Sequence, residues 1–476
     1  MPPKNIYENQ NIPVQPVVNP VPTQPVSPPV PQSPIIPPPS KKKIPRKFLF
    51  IGIGLVVVAL LAVIVSALLN GKKGTTTGEI TWWGLWEDAS VVAPLITEYE
   101  STHPGVKIVY KRESQQDYRE RLTNAFSKGT GPDIFTFHNT WVPMLKTDLD
   151  AIPSSVMTPA DFAKTYYPVI TSDLSFGNSI VGIPLGYDAL TLYINTDIFE
   201  KAGKTAPTTW DDLRSLARGL TIKDDRGNIL QSGIALGRTE NVDHWQEILA
   251  LLMIQNGVDL SNPTGVSAED ALTFFTLFAS VDGVWDATLP TSTQAFAGGK
   301  LAMYIAPSWR TFEITQANPN LKFKTVPIPQ LPKDSPNQQD ITYATYWAQG
   351  VWAKSPAKTV AWDFLGYLST KESMQKIYQN EAATRSFGEP YPRIDMAPLL
   401  STHPVVGSIV TQAPGARSWY LVSRTFDGPT GINTLISNYF RDAVNAVVTG
   451  KDDATDALST VASGVGQVLK QYGISR

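Results

Sequence analysis

Cysteine is absent from all 476 residues, which excludes disulfides, thiolate metal sites, a cysteine nucleophile and lipid attachment at an N-terminal cysteine. Histidine is scarce. His103, His138, His244 and His403 lie far apart and form no His-Glu-x-x-His pair. Nor does the chain contain a Gly-x-Ser-x-Gly elbow or a Gly-x-x-x-x-Gly-Lys-Ser/Thr phosphate loop. Glu87 and Asp88 are an acidic pair of the type a glycosidase needs, but a chain with 42 acidic residues contains such pairs by chance. The run from Lys223 to Asn228 lacks the ligand spacing and distal Glu of a calcium loop and reads as a β-hairpin turn. No catalytic residue, metal or cofactor is expected.

Excess charge is also lacking, since 40 basic residues face 42 acidic ones. The balance is uneven along the chain. Residues 1–47 carry six basic residues and only Glu8 as an acid, so the net charge of −2 leaves about −7 on the remainder. A mildly acidic body argues against nucleic acid as a ligand.

The longest uncharged apolar run is Phe48 to Leu69, 22 residues with Ser66 as the one polar side chain. At ~1.5 Å per residue it spans ~30 Å of hydrocarbon and is expected to be a transmembrane helix. Lys41, Lys42, Lys43, Arg46 and Lys47 precede it, whereas Lys72 and Lys73 follow. The N-terminus is therefore expected in the cytoplasm and the large C-terminal part outside. A cleaved signal peptide is the competing reading, with Val65-Ser66-Ala67 as its small-residue site; against it, the run exceeds the usual ~7 to 15 apolar residues. Residues 1–47 form a proline-dense tail with polyproline II character, expected to be disordered, and 70–78 form a linker.

From Glu79 onward, strand and helix patterns alternate, indicating an α/β architecture with mostly parallel sheets. Strands are expected at Glu79–Trp83, Val106–Lys111 and up to Phe137, with helices at Ala89–His103 and Tyr118–Lys128. In the most telling segment, Gly182 to Leu213, a strand with alternating Leu190, Leu192 and Ile194 leads into a short helix stopped by Gly203. Thr209 then caps a second helix at Asp212.

This order of elements resembles the family 1 extracellular solute-binding proteins, the ligand-capturing subunits of sugar-type ABC importers. The resemblance rests on Gly182, Pro184, Tyr193, Asn195, Phe199, Ala202, Gly203, Pro207, Thr209, Trp210, Asp211 and Asp212. Further matches are Gly131-Pro132-Asp133-Ile134, then Phe296, Gly299, Lys300, Ala302 and Met303. The strand and helix of Gln349 to Gln375 and the closing helices of Arg441 to Leu458 complete the order. It implies a two-lobed, periplasmic-binding-protein-like fold (type II) with discontinuous lobes, here preceded by one transmembrane helix in place of a lipid-anchored cysteine. The first lobe is expected at 79–188 and 350–392, the second at 189–349 and 393–476. The implied partners are a carbohydrate and the permease subunits of an ABC transporter in the same membrane, and the chain is expected to be a monomer.

Twelve tryptophans and 17 tyrosines suit sugar binding, because flat rings stack on the apolar C–H faces of sugars while polar groups bind the hydroxyl rim. Ligands of open α/β folds sit beyond the carboxyl ends of strands. That rule nominates Trp86 and Glu87, the run His138, Asn139, Thr140 and Trp141, and the pair Tyr187 and Asp188. Trp309 and Arg310, Tyr346 and Trp347, and Arg441 at the start of the closing helix follow. Trp82, Trp83, Trp210, Trp352 and Trp362 sit in periodic segments and are assigned to the core, and Arg385 to the surface. A peptide, polyamine or glycerol-phosphate ligand, or a tethered glycan-active surface protein, are the alternatives.

If the apolar run is retained, the protein fractionates with membranes with its tail intact. N-terminal sequencing that begins at Leu68 would return the segment to signal-peptide status.

Overall fold

The computed structural model describes residues 78–474 apart from 334, 336 and 337. The expected tail, transmembrane span and most of the linker lie outside the described residues. Among those described, no helix is long and apolar enough to cross a membrane.

Twelve strands are described, in two five-stranded sheets and one hairpin. In the first sheet, β1 (Gly78–Gly84) pairs in parallel with β2 (Val106–Arg112) and β3 (Ile134–His138). The hairpin β4 (Ser175–Phe176) and β5 (Ser179–Ile180) stands apart, and β6 (Ile183–Pro184) closes the far edge of the first sheet. The second sheet contains β7 (Thr191–Asn195), β8 (Ile222–Lys223), β9 (Ile229–Ile234), β10 (Leu301–Ala306) and β11 (Phe323–Val326). Finally β12 (Trp347–Val351) returns to the first sheet between β3 and β6.

The sheets are mixed rather than mostly parallel. β12 runs antiparallel to β3 and β6, and β7 runs antiparallel to β10 and β11. Both β7 and β12 enter directly from the opposite lobe. The helical crossover that makes a parallel neighbour is therefore absent from their connections.

Local chemistry accounts for the central elements. Ile80 and Trp82 of β1 are buried at period two, while Trp83 is only half-buried beside Lys111, so this tryptophan is a rim residue rather than a core one. All five residues of β7 are buried because both sheet faces are covered. Its polar members find partners, Thr191 Oγ1 donating to the Val326 carbonyl and Tyr193 Oη to that of Pro307. Asn195 caps the following helix at Ile198, Gly203 ends it with φ of 62°, and Thr209 accepts from the Asp212 amide at 3.1 Å. The Asp224–Asn228 segment is a hairpin turn closed by the Asp224 amide on the Asn228 carbonyl.

Each sheet organises its own core. The first draws on Ile80 to Ala189 and Ala344 to Ala416; the second draws on Leu190 to Tyr343 and Leu421 to Leu469. Residues 344–349 and 393–416 thus pack with the first core, whereas the expectation put them in the second. Register explains the former, since Trp347 pairs with His138. Burial explains the latter: Met396, Leu400, Val406, Ile409 and Val410 all point into the first core.

Asp133 ties the first sheet together. Its carboxylate accepts from the Thr81 amide and hydroxyl of β1 at 2.8 and 3.1 Å, and from Ser355 Oγ beyond β12 at 2.6 Å. Replacing it by alanine orphans three donors, and Asp133→Ala is expected to lower unfolding free energy by roughly 2 to 4 kcal/mol, Asp133→Asn by less. Urea titration measures this, and unchanged stability would contradict the role assigned.

Candidate functional site

Three segments pass between the cores side by side. The Leu190 amide donates to the Tyr343 carbonyl and the Thr345 amide to the Asp188 carbonyl, while on the other side the Ala344 amide donates to the Arg417 carbonyl and the Arg417 amide to that of Thr342. Asp188, 4% exposed, sits at this junction. One carboxylate oxygen accepts from the Ala189 amide at 2.8 Å and the Ser308 amide at 3.1 Å, and the other from Ser308 Oγ at 2.9 Å and, more weakly, the Trp309 amide at 3.4 Å. Asp188 therefore anchors the turn that presents Trp309, ahead of the helix Arg310–Ala317.

Beside this junction lies a cavity of about 520 Å³ with walls from both cores. The first lobe contributes Trp86, which meets Trp347 edge-on at 5.3 Å between ring centroids. The second contributes Trp309, with the Arg424 guanidinium 5.3 Å from its ring. Phe426 lies 6.0 Å from Trp86, so the loop of the third crossing touches both tryptophans. Arg424 and Phe426 each hold φ of 52°, a left-handed conformation uncommon for residues with a side chain.

Of the thirteen residues nominated from sequence, Trp86, Glu87, His138, Tyr187, Asp188, Trp309, Tyr346 and Trp347 line this cavity. The other five do not. Asn139 donates to Asp173 at 2.8 Å, Thr140 accepts from Asn433 at 2.7 Å, and Trp141 is fully buried between Tyr118 and Trp347. Those three turn inward because the chain coils into a 3₁₀ turn straight after β3. Arg310 is 2% exposed behind Trp309, 4.4 Å from its ring, and bonds to His244, Glu313 and Asp243. Arg441 lies in the middle of the helix Ile432–Thr449, exposed, and bonds to Asn438.

Arg385, assigned to the surface from sequence, lines the cavity instead. Its guanidinium reaches Glu381 at 3.0 Å and Glu389 at 3.2 Å and stacks 5.0 Å from the Phe312 ring of the other lobe. The four-residue spacing of Glu381, Arg385 and Glu389 was a readable sign of ion pairing. Their turn toward the cleft was not, because the helix Lys371–Ala382 ends before Arg385 and the rest is loop. Nothing in local sequence marked Glu247, Phe312 or Arg424, which three separate elements bring to the cavity.

Burial shapes the charges here. It raises the Asp188 carboxyl to about 7 and that of Glu381 to about 8, with neighbouring Glu389 adding to both, and raises Asp173 to about 6. His138, whose ring nitrogens meet Thr140 and Thr345 hydroxyls, is held down to about 3 by burial.

A family model described as bacterial extracellular solute-binding protein matches residues 84–375. A binding protein of Brucella abortus (strain 2308) is 25% identical over 300 residues, covering 60% of this chain and 69% of the relative. The fold is similar to a cyclo/maltodextrin-binding protein complexed with maltotetraose, with a TM-score of 0.65 and 16% identity over 82% of this chain and 97% of that one. It is similar also to the sugar-binding protein MalE of Xanthomonas citri, with a TM-score of 0.66 and 19% identity, covering 83% and 98%. A cyclic alpha-maltosyl-1,6-maltose binding protein from Arthrobacter globiformis gives 0.67 and 20%, covering 83% and 100%.

A carboxyl whose folded pKa lies above its unfolded value binds its proton more tightly when folded, so stability falls as pH rises through that interval. For Glu381 the interval runs from its ordinary 4.5 to about 8. The neutral His138 opposes this only below its ordinary 6.5. Raising pH from 6.5 to 8.5 should therefore lower the melting temperature of free protein, and Glu381→Gln should flatten the slope. A wild-type profile that rises over this range would contradict the assignment.

Proposed function

Because the chain belongs to the bacterial extracellular solute-binding proteins, we propose that this cleft captures a carbohydrate of oligosaccharide size and passes it to an ABC importer permease. The observation that carries the reading is the convergence of Trp86, Trp347 and Trp309 from two lobes on one cavity that also holds carboxylates and guanidiniums. Indole faces stack on sugar rings, and charged planar groups take paired hydroxyls. The structural neighbours named above for maltodextrin and for a cyclic maltose oligomer bind such ligands in the same fold.

Binding follows from the lobes. A ligand that touches both walls gains its full contact only when the cleft is closed, so it favours the closed population. Trp309 is rigidly presented for this contact by Asp188 and by Arg310 behind it. The chemistry asked of the site is recognition, with no bond made or broken.

A thermal-shift panel of neutral and charged oligosaccharides identifies the ligand, and calorimetry then tests Trp309. Burying ~100 Å² of indole against a sugar contributes ~2 to 3 kcal/mol. Trp309→Ala should therefore weaken binding ~30- to 150-fold with little change in the melting temperature of free protein. Loss of stability with unaltered affinity would reject Trp309 as a ligand contact. Failure of every saccharide to bind would reject the carbohydrate reading.

A further inference from the structure

More carboxyl groups than guanidiniums line the cavity. Six carboxylates line it, Glu87, Asp188, Glu247, Glu313, Glu381 and Glu389, against the guanidiniums of Arg385 and Arg424. Glu313 is partnered by Arg310 at 2.5 Å, and Asp188 is held by amides and a hydroxyl. The excess is concentrated on the first-lobe wall. There Arg385 is shared between Glu381 and Glu389, and Glu87 lies close enough to feel both Arg385 and Glu389.

Arg385 keeps Nε without a hydrogen-bond partner among the described residues. Its guanidinium is fixed over Phe312, which in turn packs at 4.6 Å against Phe387. Gly186 backs Glu389 so closely that a Cβ there would stand 2.8 Å from the Glu389 Cβ. The cluster is thus held in place from both lobes.

Two further side chains of the cavity are buried with unused polar atoms. Tyr187, 1% exposed and next to Gly186, has a hydroxyl without a hydrogen-bond partner among the described residues. Glu247, equally buried, accepts through one oxygen from the Ser423 amide and hydroxyl, while its other oxygen has no partner. Glu247 leaves an acceptor open and three carboxyls share the one Arg385 guanidinium, so the site suits a ligand that brings a donor and a positive charge.

Building on the carbohydrate reading above, we infer that the ligand carries a primary ammonium group, seated between Glu87, Glu381 and Glu389, and that the site takes an amino sugar. A protonated amine supplies three donors and one positive charge in the volume of a hydroxyl. The tryptophans Trp86 and Trp347, on the same lobe, provide the stacking surface for the ring that bears it. Burial opposes ionisation of Glu87, Glu381 and Glu389, and a second cation beside Arg385 offsets that opposition.

Calorimetry on the full-length chain with a glucosamine trimer, its N-acetylated counterpart, maltotriose and spermidine tests this. The trimer with free amines should bind roughly 10- to 100-fold more tightly than the acetylated one, the range expected of a charge-assisted hydrogen-bonded pair. Glu389→Gln and, independently, Glu87→Gln should remove most of that preference, weakening binding of the trimer with free amines roughly 10-fold or more beyond any loss for the acetylated one. Melting curves of both variants show that the comparison is made on folded protein. Equal binding of the two trimers, or tighter binding of maltotriose, would overturn the ammonium inference while leaving the carbohydrate reading standing. Spermidine binding that both variants abolish, with no saccharide bound, would retain the ammonium and overturn the carbohydrate reading together with the amino sugar.

Discussion

The carboxylate of Asp188 is the point on which the two lobes and the cleft between them depend. It stands where the chain first leaves one core for the other, and it gathers donors from both sides of that passage: the Ala189 amide, the Ser308 amide and hydroxyl, and the Trp309 amide. Its own carbonyl accepts from Thr345 on the second passage. A buried carboxylate with several donors is costly to leave unpaired and therefore strongly orients them. One residue thus sets the spacing of two crossing segments and the position of the aromatic that faces the cavity.

Beyond this junction the lobes meet again, Asn433 bonding to Thr140, Thr191 to Ser408 and Thr325 to the Val405 carbonyl. Phe312 of the second lobe lies against Phe387 and Arg385 of the first, and Arg119 of the first lobe bonds to Thr430 beside the third crossing. Such contacts are small beside the two cores, which each bury dozens of side chains. Most of the buried apolar side chains thus belong to one core or the other.

Much of this was legible in the sequence where local rules operate. The stop at Gly203 and the Thr209 bond to Asp212 follow from short-range chemistry, and both occur as expected. The family was legible too, through motifs strung in order. The mixed direction of the sheets was not, because it depends on β7 and β12 arriving from the other lobe, which no window of residues reveals. Eight of the nominated site residues reach the cavity because strand ends point there. Asn139, Thr140 and Trp141 failed the same rule when the chain coiled at once after β3. The second wall, with Glu247, Arg424 and Phe426, was invisible because its members come from a helix start and a loop with left-handed residues.

Charge and closure are linked through Arg385. The guanidinium belongs to the first lobe, but the ring that fixes it, Phe312, belongs to the second. While the lobes touch, Arg385 stays bound to Glu381 and Glu389 and the cluster is rigid. Parting them removes the ring, lets solvent reach the carboxylates, and lowers the penalty for their ionisation, because water screens what the protein interior does not. Burial opposes ionisation of Glu381 and Glu389 while the lobes touch, and the Arg385 guanidinium offsets that opposition. The proposed ammonium would add to that offset, which is how recognition of charge and contact between the lobes would be coupled.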